Sequence, residues 1–70
     1  MTFYIHIYGN KYYGSNLKYP HESAYLDLSI IRYFDGTSSV RMGPKYYDTP
    51  AEARAGIEAA GFRAEDNYIF

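Results

Sequence analysis

A chain of 70 residues with a net charge of −1 and no cysteine amounts to one domain, held without disulfides or a thiolate-bound metal. The near-neutral charge argues against binding nucleic acid by neutralising phosphates, and no run approaches the roughly 18 apolar residues of a membrane span. Ten residues are tyrosine, a side chain that is large, amphipathic and limited to two torsions. It supplies contact area at low entropy cost and is enriched in binding surfaces.

The chain opens on Met-Thr-Phe-Tyr-Ile-His, which has no basic segment of the kind that starts a signal peptide, so a soluble, cytoplasmic protein is expected. Residues 3–8 alternate with period two. Phe3, Ile5 and Ile7 face one way and Tyr4, His6 and Tyr8 the other, the pattern of a strand. Gly9-Asn10 fits a two-residue hairpin turn into Lys11-Tyr12-Tyr13, which sets Tyr13 opposite His6 and Tyr12 opposite Ile7. Gly14 to Ser23 reads as a loop, with Pro20 pushing Tyr19 toward extended backbone.

Residues 24–34 predict a second strong strand. Leu26, Leu28 and Ile30 share one face; Tyr25, Asp27, Ser29, Ile31 and Tyr33 share the other. Asp35-Gly36 signals a hairpin into Ser38–Met42. A loop of Asp35 and Gly36 alone pairs Ile30 with Arg41, a poor match on a core face. A three-residue loop, Phe34-Asp35-Gly36, pairs Ile30 with Val40 and Leu28 with Met42 and is the expected register. Gly43-Pro44 then breaks the strand, as suits a sheet edge.

Asp48-Thr49-Pro50-Ala51-Glu52 reads as a helix start, with Thr49 as the cap, Pro50 at the first helical position and Glu52 completing a capping box. Ala53, Ile57 and Ala60 form a narrow stripe against the sheet, leaving Glu52, Arg54 and Glu58 to water. Gly61 provides a left-handed stop, and Phe62 folds back on Ile57. Glu65-Asp66 reads as loop, and Asn67-Tyr68-Ile69-Phe70 as a last short strand extending the sheet. The expected fold is one compact α+β domain over residues 1–70: a small antiparallel β-sheet with one α-helix on one face, in the order β-β-β-β-α-β.

The chemistry-bearing residues form no catalytic or metal kit. The two histidines, His6 in a strand and His21 in a loop, have neither a partner nor metal-ligand spacing. His6 is expected as a half-exposed strand residue among tyrosines. No serine sits on a strained elbow, no carboxylate pair is positioned as acid and base, and the glycines are isolated. No enzymatic activity, cofactor or metal is expected.

The tyrosines remain. With the helix on the Phe3/Ile5/Ile7 face, the opposite face collects Tyr4, His6, Tyr8, Tyr13, Tyr25, Ile31 and Tyr33. An aromatic face of that size marks an interface or stabilises a thin sheet through cross-strand pairs. Tyr12, Tyr19, Tyr46 and Tyr47 fall in loops or at strand ends. Residues 48–70 carry five acidic side chains against Arg54 and Arg63, so Glu52 and Glu58 are candidates for an acidic docking edge beside the tyrosines. Lys11, Lys18, Arg32 and Arg41 supply a basic rim, giving a two-signed surface suited to one specific protein partner.

The compact α+β build, with Phe3–Tyr8, Leu26–Phe34 and Thr49–Phe62 as its elements, resembles small phage-encoded inhibitors, notably anti-CRISPR proteins of the type I systems. The resemblance implies a protein that blocks a Cas surveillance complex or nuclease in the host cytoplasm by occupying its surface. The charge departs from the strongly acidic DNA mimics among such inhibitors, which favours steric blocking. Two other readings stand beside it. One is a small bacterial structural or regulatory domain, monomeric or homodimeric through the tyrosine face or an edge strand. The other is a module that stacks single-stranded nucleic acid on the tyrosine face, which lacks a basic-Gly-aromatic signature and a second helix.

Overall fold

The structure, a computed structural model, describes residues 1–19 and 31–66. It is an α+β fold of the expected element order, with β1 (Thr2–Tyr8), β2 (Lys11–Ser15), β3 (Tyr33–Phe34), β4 (Ser39–Val40), α1 (Pro50–Ala59) and β5 (Arg63–Asp66). The strands form one sheet in the order β4-β3-β2-β1-β5, with the helix packed on one face.

The first hairpin follows its sequence signal, with His6 opposite Tyr13 and Ile7 opposite Tyr12. It also runs further than expected, through Gly14 and Ser15. Gly14 belongs in the strand because the helix needs the room. A Cβ placed there would lie 2.9 Å from Ile57 Cδ1 and 3.4 Å from Phe3 Cβ.

The sheet is mixed and not antiparallel throughout. β5 pairs with β1 in parallel, Phe3 beside Ala64 and Ile5 beside Asp66. A helical connection, unlike a hairpin, can bring the chain to the open side of β1 running in the same direction. Glu65 and Asp66 are thus strand residues rather than loop. Arg54 does not simply face water. Its guanidinium donates to the Ala64 carbonyl at 3.1 Å, pairs with Asp66 at 2.8 Å and also reaches Glu58 at 3.6 Å.

The third departure is the β3–β4 register. Tyr33 faces Val40 and Phe34 faces Ser39, so the turn is Gly36-Thr37, closed by Asp35 N–H donating to the Ser38 carbonyl at 3.1 Å. Two energies override the expected three-residue loop. Phe34 stays in the sheet and is fully buried, its ring 5.5 Å from Phe3 and 6.0 Å from Phe62. The Asp35 carboxylate then accepts the Thr37 and Ser38 amides at 2.9 and 2.7 Å. Gly36, at φ 109°, takes the left-handed first position of that turn. The expected pairings of Leu28 and Ile30, the rest of the 24–30 strand, the 20–23 loop and the 67–70 strand lie outside the described residues.

After β4 the chain turns back to the sheet. Lys45 N–H donates to the Phe34 carbonyl at 2.9 Å, and Tyr12 and Tyr47 exchange two backbone bonds at 2.8 and 2.7 Å. Residues 45–47 therefore continue, along β2, the edge that β3 begins. Between them the chain makes the β3–β4 hairpin, which adds the outermost strand, and a loop over residues 41–44.

The helix ends as its sequence says. Thr49 Oγ1 accepts the Glu52 amide at 3.2 Å, and Pro50 opens the first turn. At the other end, Phe62 N–H reaches the Ile57 carbonyl and Gly61 N–H the Glu58 carbonyl, at 3.2 and 3.0 Å, with Gly61 at φ 91°. These are the two bonds of a Schellman ending. Phe62 lands edge-on to Phe3 at 5.1 Å, so the cap also fills the core of Phe3, Ile5, Phe34, Ala53, Ile57 and Ala64.

Candidate protein-docking groove

Strand alternation divides the side chains between two faces. Tyr12, Gly14 and Phe34 join Phe3 and Ile5 under the helix, while Tyr13, Ser15 and Tyr33 join His6 and Tyr8 on the far side. The far face is built on a histidine. His6 is fully buried, not half-exposed as expected, because β1 is an interior strand between β2 and β5 and the chain at the end of β2 brings Ser15 and the Leu17 carbonyl onto the ring. Its Nε2 lies 2.7 Å from the Leu17 carbonyl and 3.1 Å from Ser15 Oγ. A carbonyl only accepts, so Nε2 carries the hydrogen and donates it to Leu17. The imidazole lies against Tyr13, its cross-strand neighbour, with centroids 5.4 Å apart.

On the same face runs a groove of about 740 Å³. Tyr8, Tyr13, Ile31 and Tyr33 line it from the sheet; Arg41, Met42, Gly43, Pro44 and Tyr46 line it from the loop after β4. The rings form a continuous series: Tyr8 to Tyr46 at 6.1 Å, Tyr46 to Tyr13 at 5.7 Å and Tyr13 to Tyr33 at 6.1 Å. The wall is open to water, with Tyr8 68 %, Tyr46 47 % and Met42 83 % exposed. Among the described residues, no aspartate or glutamate lines it. Burial, followed by the neighbouring Tyr33, Tyr46 and Tyr8, raises the Tyr13 hydroxyl above its ordinary pKa of 10.0, so it remains a neutral donor at physiological pH.

Of the residues expected on the docking surface, the structure brings together Tyr8, Tyr13, Ile31 and Tyr33. His6 is buried beside Tyr13 and does not line the groove, and Tyr4, half-buried beside Glu65 on β5, is on the sheet but not in the groove. Tyr25 lies outside the described residues. Glu52 and Glu58 are exposed on α1, across the sheet from the tyrosines, so they form no common surface with them. Sequence reasoning placed Arg41 in a basic rim around the tyrosines but missed the rest of the loop wall, Met42, Pro44 and Tyr46. The only hint of it was Gly43-Pro44, which says that the chain turns there but not toward which face.

Among the described residues, no group of three or more His, Cys, Asp or Glu side chains is placed to hold a metal ion. No helix among them is long and apolar enough to cross a membrane. Comparison with family models, curated proteins and solved structures finds no match.

Proposed function

We propose that this protein is a non-enzymatic binding module that docks a protein partner in the tyrosine groove and acts by covering that partner's surface. The observation that carries the reading is the ring series of Tyr8, Tyr46, Tyr13 and Tyr33, in which Tyr8 and Tyr46 stand exposed beside exposed Met42. Folding does not require Tyr8, Tyr46 and Met42 in water, because the main core is assembled on the other face of the sheet. Large aromatic and methionine side chains grouped in the open are the composition of an interface centre. The resemblance to phage-encoded inhibitors gives the reading its specific form, in which the partner is a subunit of a host CRISPR–Cas complex and inhibition is steric.

The test is affinity capture from a bacterial host lysate treated with nuclease, using the native protein and the double variant Tyr8→Ala/Tyr46→Ala. The expected result is one stoichiometric protein partner held by the native chain and lost by the variant. Partners that disappear on nuclease treatment, or that both proteins retain equally, would overturn the proposal.

A further inference from the structure

We infer that the groove takes an extended, proline-containing segment of its partner with acidic residues beside it, the acidic end lying against Arg41. The inference rests on the protein-docking reading and adds the chemistry of the occupant. Three properties of the groove point the same way.

The first is shape. Neighbouring rings are not parallel: Tyr8 and Tyr46 meet at 35°, Tyr13 and Tyr33 at 49°, and Tyr13 and Tyr46 at 63°. Flat groups such as nucleobases stack on parallel ring faces. Tilted rings leave wedge-shaped slots, which a thick, puckered pyrrolidine fills better.

The second is hydrogen bonding. The four tyrosine hydroxyls and the Arg41 guanidinium can all donate. A proline-rich segment in the polyproline II conformation offers free carbonyls and few N–H groups, so its needs match what these side chains supply. Its backbone is already ordered, which reduces the entropy lost on docking in an aromatic groove.

The third is charge. Arg41 is exposed at the groove wall and, among the described residues, makes no ion pair and has no acidic side chain beside it in the lining. A guanidinium left this way at a rim selects a carboxylate on the incoming chain and speeds encounter with it.

The experiment is fluorescence anisotropy on the full chain. The main probe is a fluorescein-labelled peptide of repeated Pro-Pro-Leu ending in Glu-Asp-Glu. Control probes replace the prolines by Gly-Ser, replace the acidic end by Lys-Lys-Lys, or substitute an oligothymidine. The acidic proline peptide is expected to bind about tenfold more tightly than its Gly-Ser counterpart. The Lys-ended peptide should bind roughly threefold to fivefold more weakly, and Arg41→Glu should reverse that order. Tyr8→Ala/Tyr46→Ala should abolish the proline preference, and Tyr8→Phe/Tyr46→Phe, which keeps the rings and removes two donors, should reduce it.

Equal binding of the proline and Gly-Ser peptides, or no binding of either, would overturn the inference. Unlabelled proline peptide is then added to the lysate capture. A partner held through Tyr8 and Tyr46 but not displaced by the peptide sinks the proline assignment and leaves the docking reading standing. Oligothymidine bound in preference to every peptide, and lost in the alanine variant, sinks both.

Discussion

Two single residues show how narrowly the local structure is set. Gly14 lies where β2 passes beneath α1, and every atom around its missing Cβ belongs to the buried core: Ile57, Phe3 and Phe34. Gly14→Val should force that core apart and destabilise the fold by about 1–3 kcal/mol, measured by urea denaturation. Asp35 acts through charge. Its carboxyl is held below the ordinary 3.8, first by the Ser38 backbone amide and then by that of Thr37. A depressed folded pKa means that the ionised form stabilises the turn above the ordinary value, and that this contribution is lost as pH falls through the folded pKa. Native protein should therefore be more stable than Asp35→Ala at pH 7, and the difference should close as the solution is taken well below 3.8. A gap that stays constant across a pH series of thermal melts would remove the carboxylate from the account.

Individual elements differ in how much they owe to their neighbours. The helix is locally specified at both ends, because a cap bonds residues three to five positions apart. Thr49→Ala removes the acceptor of the Glu52 amide and should cost about 1 kcal/mol. In a domain of this size that corresponds to a fall in Tm of about 4–8 °C, measurable by circular dichroism. The first hairpin is local in the same sense, and its register follows from the Gly9-Asn10 turn and the alternation of residues 3–8. The β3–β4 hairpin is not. Its turn signal, Asp35-Gly36, permits more than one loop, and the register was decided by the burial of Phe34 against Phe3 and Phe62, which come from β1 and from beyond the helix. Nearest-neighbour pairing across the hairpin, the argument that favoured Ile30 with Val40, does not include that contribution.

Across the whole molecule, the sheet separates folding from docking. The helix side holds the main core of phenylalanine and aliphatic side chains, and the far side holds buried His6 and Ile31 together with exposed Tyr8 and Tyr46. A single core in a domain of this size supplies about 3–5 kcal/mol net. Phe34→Ala, at a fully buried ring touching two others, should cost about 3–5 kcal/mol and leave the chain largely unfolded at 25 °C. Tyr8→Ala/Tyr46→Ala removes exposed rings and should shift stability far less, within about 1 kcal/mol for the pair. Circular dichroism melts of the two variants test the separation directly. Comparable losses would mean that the tyrosines are part of the fold's own packing.

The sequence by itself determined whatever depends on neighbours along the chain. That covers the helix with its caps, the first hairpin, the α+β class, and the assignment of Tyr8, Tyr13, Ile31 and Tyr33 to one face, since strand alternation is a local geometric rule. Only the tertiary structure decided that β5 runs parallel to β1, that Arg54 bridges the helix to that strand, and that His6 is buried completely. It alone showed that the 41–46 loop folds toward the tyrosine face and completes the groove, while Glu52 and Glu58 lie across the sheet. Those outcomes depend on contacts between residues far apart in the chain. Their energies come from burial and from charges meeting across elements, and no local pattern carries that information.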